Sequence, residues 1–266
     1  MSSPSRPVLL TGASGALGRM LARTLGQKGW TLRLTDIAPF PDQVPAGSSF
    51  EAADLVDRET VARLAEGCGT ILHFGGVSVE RPFGEVLAPN VVGLYNIYEA
   101  ARKAGARVLF ASSNHTIGFH ERTTTIDSES PFRPDGYYGA SKVWGEMMGR
   151  LYWHKHGIES VLVRIGSCFP KPVDARMLAT WLSYDDLARL CERAVLAERP
   201  GCCVVWGVSR NARMSWWQGD ERETIGWEPQ DSADEYADEV SGKVTGDPFV
   251  ERYQGGAYVA IDRSAP

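Results

Sequence analysis

Short apolar runs alternate with stretches of helical period along the first two thirds of the chain. Val8, Leu9 and Leu10 form an uninterrupted apolar run, readable as a buried strand. It meets a glycine-rich turn over residues 11–18, and residues 19–25 then follow a helical period. Residues 31–35 read as a second strand ending at Asp36, and a third strand ends within 50–55, ahead of a helix over 57–66. A fourth strand covers 70–76 and closes on Gly75 and Gly76; a helix opens at Asn90 and runs to about Lys103. Residues 107–113 and 159–165 read as the fifth and sixth strands. Between them lies a helix over 141–156, preceded by Tyr138, whose Trp144, Met147, Met148 and Leu151 are expected in the core. Past residue 165 the pattern weakens to a helix over 184–196, a short strand over 202–206 and a Trp-rich loop. Strands alternating with helices predict an α/β fold, a Rossmann-type doubly wound parallel sheet. No repeat or linker marks a second large domain, so residues 1–266 are expected to form one domain. Residues from about 166 onward would form its small C-terminal substrate-binding portion.

Composition narrows the function classes. At 266 residues and 43% hydrophobic, the chain can bury a sizeable core. A net charge of −5 without a basic run argues against nucleic acid as a partner. Five irregularly spaced cysteines, with no CxxC pair and no His/Cys cluster, predict free thiols and no metal. The first seven residues lack the apolar core of a signal peptide, and the run at 8–10 is far too short to cross a bilayer. A cytoplasmic protein without a membrane partner is expected. A homo-oligomer stays open, because the Trp-rich C-terminal segment suits an interface as well as a core.

The glycine turn carries the first chemistry. Gly12, Gly15 and Gly18 suit a tight turn, close approach of a pyrophosphate, and close helix–strand packing, respectively. The helix N-terminus at Ala16 and Leu17 offers free N–H groups to phosphate. An ordinary βα turn has the same residues. Asp36 ends the next strand, 18 residues after Gly18, where a carboxylate accepts from both ribose hydroxyls and repels a 2′-phosphate. NAD is therefore expected over NADP. Arg33 lies within the strand pattern and is not read as a phosphate clamp. Asp54 either reaches the adenine amino group or caps the following helix. Ile37, Leu55, Phe74, Gly75, Gly76, Asn90 and Ile165 complete the expected cofactor set, although Asn90 also suits a helix cap. His73 reads as a packed core histidine.

Tyr138 and Lys142 stand four residues apart, on one face of a helix. A fixed ammonium beside a phenol favours the phenolate, which makes the tyrosine a usable base. Alone the spacing also fits a surface pair. Ser113 ends a strand 25 residues earlier, followed directly by Asn114 and His115.

In this order the glycine turn, Asp36, Asn90, Ser113, Tyr138 and Lys142 resemble the extended short-chain dehydrogenase/reductase family. The segments 73–83, 110–118 and 162–168, with Arg176, residues 205–207 and residues 254–256, resemble the uronate dehydrogenases within it. That resemblance implies NAD-dependent oxidation of a hexuronic acid (glucuronate or galacturonate) at C1, giving the aldarolactone. It implies Tyr138 as base, Lys142 on the nicotinamide ribose and lowering the Tyr138 pKa, and Ser113 orienting the reacting oxygen. Ser78, Ser113, Asn114, His115, Tyr138, Ser167 and Arg176 would hold the substrate. Asn114 and His115 would meet ring hydroxyls, and Arg176 would take the C6 carboxylate, since a guanidinium binds carboxylate in a bidentate fork. An ion pair of Arg176 with Asp174 or Asp185 is the competing reading. A nucleotide-sugar epimerase or dehydratase of the same family, and an NAD-sensing regulator without catalysis, are the alternative functions.

Overall fold

Seven parallel strands build one sheet in the computed structural model, which describes residues 3–263. In chain order they are β1 (Val8–Thr11), β2 (Leu32–Asp36), β3 (Ser49–Ala52), β4 (Thr70–His73), β5 (Arg107–Ser113) and β6 (Ser160–Ile165). The pair β7 (Ser167–Cys168) and β8 (Trp181–Leu182) forms a small separate ladder, and β9 (Cys202–Gly207) completes the large sheet. The spatial order β3-β2-β1-β4-β5-β6-β9 reverses direction beside β1, so a crevice opens there at the carboxyl ends of the strands. The register levels those ends: Thr11 pairs with Thr35 and His73, and Ser113 pairs with Ile165, which pairs with Gly207. A doubly wound Rossmann-type α/β fold is the architecture observed.

The helices in order are α1 (Ala16–Gln27), α2 (Arg58–Ala65), α3 (Phe83–Val86), α4 (Gly93–Ala104), α5 (Tyr137–His156), α6 (Met177–Thr180), α7 (Tyr184–Leu196), α8 (Ala237–Val240) and α9 (Pro248–Arg252). One face of the sheet is covered by α1 and α7, with Leu21, Leu25, Leu187 and Leu190 packed beside Trp227. The other face is covered by α2, α4 and α5, through Leu64, Ile97, Tyr98 and Met148. Both faces of a parallel sheet are thereby dry, which is why its strands read as continuous apolar runs. Asp57 caps α2, accepting from the backbone N–H groups of Glu59 at 3.2 Å and Thr60 at 3.1 Å. Asp54 is therefore free of that task.

The expected core face of α5 is corrected. Met148 is buried, but Trp144, Met147 and Leu151 are 41%, 40% and 49% exposed. Small residues line the side of α5 that meets the sheet. A Cβ at Gly149 would lie 2.8 Å from Leu162 Cδ2, and one at Gly145 would strike the Phe110 ring. Such contacts draw the helix close and turn its large side chains outward. The C-terminal tryptophans behave in the opposite way. Trp206, Trp216 and Trp217 are buried, and the rings of Trp206 and Trp217 stack at 5.0 Å.

A fully buried ion pair ties α5 to the sheet. Glu146 of α5 accepts from Arg164 of β6 through Nε and Nη2, both at 2.9 Å, and from Ser112 Oγ of β5 at 2.6 Å. Arg164 Nη1 donates to the Ser128 carbonyl at 3.0 Å, so the long loop between β5 and α5 joins the same knot. Breaking such a pair strands a charge in the interior. All five cysteines are free thiols. Among the described residues no helix is long and apolar enough to cross a membrane, and no group of three or more potential metal ligands occurs.

Candidate active site

The turn after β1 is shaped for a phosphate-bearing ligand. Gly12 has φ +70°, and a Cβ there would sit 2.6 Å from the Phe74 carbonyl carbon. A Cβ at Gly18 would run into the Gly12 carbonyl, so only glycine lets α1 approach the turn this closely. The cleft above the turn measures about 520 Å³. Gly12, Gly15, Ala16, Leu17 and Gly18 form its floor, and Asp36, Ile37, Asp54 and Leu55 one end. Phe74, Gly75 and Gly76 line it from β4. The Asp36 carboxylate is held by the N–H groups of Ser14 at 3.0 Å and Ala38 at 3.1 Å. Among the described residues no Lys or Arg lines the cleft, and nothing there would pair with a 2′-phosphate. Glycine floor, exposed helix N-terminus and fixed carboxylate together fit NAD. Arg33 turns away and caps α2, donating to the Leu64 carbonyl at 2.6 Å and the Glu66 carbonyl at 2.8 Å.

Of the expected cofactor residues, Lys142 and Ile165 lie outside this cleft, in a neighbouring cavity, and Asn90 lines neither. It is buried in a π-helical turn over Leu87–Val92. Its amide accepts from Val77 N at 2.8 Å and donates to the Val77 carbonyl and Ser141 Oγ, both at 2.9 Å. It thus clips the polar loop after β4 to α5.

A second cavity of about 490 Å³ adjoins the first, sharing Leu17, Phe74 and Ser78 with it. Ser113, Tyr138 and Lys142 converge here, with Ile165 beside them. Lys142 Nζ lies 5.5 Å from the centre of the Tyr138 ring and 4.9 Å from that of Phe110. Burial pushes the Lys142 ammonium down to about 8. Burial pushes the Tyr138 phenol above its ordinary value, with the Ser113 hydroxyl acting against that and the nearby Asp135 adding to it. Desolvation is the largest influence on the phenol in the chain alone. His73 stays out of the cavity as a core residue. Its Nδ1 pairs with Thr11 Oγ1 at 2.8 Å, and burial pushes it down to about 3, so it is neutral.

The far wall is built around Arg176, at the start of α6. Nε donates to the Gln254 carbonyl at 2.7 Å and Nη1 to Ser167 Oγ at 3.0 Å. Nη2 meets Asn114 Oδ1 at 2.6 Å in the amide orientation that also sends Asn114 Nδ2 to the Ile165 carbonyl at 3.1 Å. Asn114 therefore also holds Arg176 in place. Arg176 forms no ion pair among the described residues, and Asp174 instead accepts from Met177 N at 2.9 Å. Burial pushes the guanidinium down to about 10, and it still carries its charge at neutral pH. A fixed, charged guanidinium without an ion-pair partner among the described residues thus faces a cavity that Ser113 and Tyr138 also line.

Around the cavity, Tyr258 and Asp135 carried no sequence expectation, and Glu80 and Gln254 only that of the segments 73–83 and 254–256. Glu80 accepts from the N–H groups of Tyr137 and Tyr138, both at 2.8 Å, and so supplies α5 with the cap its own sequence lacks. Gln254 is fully buried and donates to the carbonyls of Glu121 and Thr124. Tyr258 stacks on His115 with ring centres 3.8 Å apart. Asp135 pairs with His115. The signal available was Gly255 and Gly256, since a Cβ at Gly256 would lie 2.7 Å from Arg176 Cδ.

The model of the NAD dependent epimerase/dehydratase family matches residues 8–202. A uronate dehydrogenase of Pseudomonas syringae pv. tomato is 48% identical, over 97% of this chain and 94% of that one. A crystal structure of glucuronic acid dehydrogenase from Chromohalobacter salexigens superposes with a TM-score of 0.90 at 48% identity, covering 96% of each chain. A tyrosine-to-alanine mutant of the Agrobacterium tumefaciens uronate dehydrogenase, complexed with NAD, superposes with a TM-score of 0.91 at 42% identity, covering 97% of this chain and 98% of that one.

Proposed function

We propose that this chain, which belongs to the uronate dehydrogenases of the NAD dependent epimerase/dehydratase family, oxidises C1 of a cyclic hexuronic acid to the aldarolactone, with Tyr138 as base. The observation that carries the reading is Arg176: a charged guanidinium without an acidic partner, aimed into the cavity that adjoins the dinucleotide cleft. A carboxylate is the ligand it lacks, and a hexuronic acid offers one at C6 while presenting C1 some distance away.

In this account Arg176 and Ser167 anchor the C6 carboxylate. Ser113 and Tyr138 receive the C1 hydroxyl, and Tyr138 takes its proton. Ionising an ordinary tyrosine at neutral pH already needs about 4 kcal/mol of differential stabilisation. Burial raises that requirement here, so the Lys142 ammonium and the Ser113 hydroxyl act on the phenol within a closed, low-dielectric site. NAD, when bound over the glycine turn, supplies the acceptor for the hydride that leaves C1 and a positive ring that favours the phenolate. The rest of the catalytic advantage is positioning, which the fixed hydrogen bonds of Arg176 provide.

The test is formation of NADH from NAD over a panel of uronates and the matching neutral aldoses. Turnover on glucuronate or galacturonate well above that on glucose or galactose is expected. Equal rates on acid and neutral sugar would remove the role of Arg176, and no net NADH with any of them would favour an epimerase or a cofactor sensor.

A further inference from the structure

Three glycines from three parts of the chain clear room for one carboxylate. A Cβ at Gly118, in the loop after β5, or at Gly255, in the C-terminal segment, would collide with Asp135 Oδ2. One at Gly139, in α5, would strike the His115 carbonyl and come within 3.2 Å of Asp135 Oδ1. The Asp135 side chain has no solvent exposure. Its single hydrogen-bond partner among the described residues is His115 Nδ1, 2.7 Å from Oδ2, and Oδ1 has none. A carboxylate enclosed with so few donors costs stability, and apolar packing in its place would be cheaper. Its contribution therefore has to be sought in what it does to His115.

His115 is fixed on every side but one. Its ring stacks on Tyr258 at 3.8 Å between centres and meets the Tyr138 ring edge-on at 5.8 Å. Its backbone N–H donates to Ser113 Oγ at 3.2 Å. The ring lines the cavity, while Asp135, behind it, does not. An ionised carboxylate only accepts hydrogen bonds, so the partner nitrogen Nδ1 carries the hydrogen. Among the described residues Nε2 is the ring nitrogen left without a partner, on a ring that lines the cavity.

We propose that Asp135 is a positioning residue for the reaction: it locks His115 in the Nδ1–H tautomer, so that unprotonated Nε2 accepts a hydrogen bond from a ring hydroxyl of the sugar. That contact, set beside Tyr138, fixes the rotation of the sugar ring about the line from Arg176 to C1. The role in turnover rests on the uronate reading of the site; the tautomer itself does not. Choice of tautomer by a second partner is a general property of histidine sites.

The test is Asp135→Asn in the full-length protein with NAD bound. The amide N–H of asparagine donates to Nδ1 and moves the ring hydrogen to Nε2. Nitrogen-15 correlation spectra of the histidine rings are expected to show His115 protonated at Nδ1 in the wild type and at Nε2 in the variant. The KM for uronate should rise about 3- to 10-fold, the range of one neutral hydrogen bond, with NAD affinity unchanged. Among 2-, 3- and 4-deoxy uronates, one should bind wild type and variant alike. A wild-type spectrum with Nε2 protonated overturns the proposal, and needs no variant to fold. A switched tautomer with unchanged uronate KM overturns it as well. If the uronate reading itself fails, the panel of sugars reveals that while the wild-type tautomer still stands.

Discussion

Replacing Arg176 by alanine probes the feature from which the substrate class was inferred. The guanidinium is held by three acceptors, the Gln254 carbonyl, Ser167 Oγ and Asn114 Oδ1, and among the described residues by no carboxylate. Asp174 and Asp135 act on its charge only from a distance, without bonding it. Removing one member of a buried charge pair costs about 3–5 kcal/mol, because the other is left desolvated. At 1.36 kcal/mol per factor of ten, that is about 150- to 5000-fold in kcat/KM for a uronate. The C6 carboxylate is bound equally before and during hydride transfer, so most of the loss should fall on KM. Neutral aldoses should lose little, and the preference for acid over neutral sugar should collapse. Arg176 does not line the dinucleotide cleft, so the NAD dissociation constant should stay within about twofold. Arg176→Lys should recover part of the loss, since it keeps the charge but not the three-way hydrogen bonding. The assay is initial NADH formation with uronate and NAD varied separately, beside a thermal melt to confirm folding. A uronate KM within threefold of wild type in the folded alanine variant would refute the assignment.

Tyr138→Phe should lower kcat by at least about 10²–10⁴-fold, the range of general-base catalysis, with NAD binding intact; near-normal kcat would contradict the base role. Lys142 makes a pH prediction. Its folded value of about 8 lies below the ordinary 10.5, so between those values the unfolded chain binds more protons and stability rises with pH. Urea denaturation of wild type and Lys142→Met at pH 7.5 and pH 10 (the window set by those values) should show wild type gaining relative to the variant at the higher pH; a gap that moves the other way would show that the ammonium is not buried. Glu80→Ala should cost about 0.5–2 kcal/mol of stability, as loss of a helix cap does, and should lower kcat by loosening Tyr138 at the start of α5. An unchanged melting temperature with unchanged kcat would show that the cap is idle.

The sheet and its dinucleotide cleft were legible because their determinants are local. A glycine turn between an apolar strand and a helix, and Asp36 at the next strand end, lie within 25 residues of one another. The face of α5 was misread for an equally physical reason. Gly145 and Gly149 take the contacts with the sheet, and periodicity of large side chains points to the wrong side when the close-packed side is glycine. Spacing places Lys142 near Tyr138 but says nothing of the enclosure that raises the phenol. What holds Arg176 was invisible for want of proximity in the chain: Gln254 lies 78 residues away, and Glu80 reaches Tyr138 across 58. Asp135 was overlooked because the room around it is made by glycines at 118, 139 and 255, which no local pattern connects.

The central claim is that hydride leaves C1 of a uronic acid for NAD while the acid is held at Arg176. Glucuronate carrying deuterium at C1 tests it in one reaction, read by proton and carbon NMR. The account predicts deuterated NADH and an aldarolactone with a C1 carbonyl, in equal amounts. Nucleotide free of deuterium, or a product oxidised or inverted at another carbon, would contradict it.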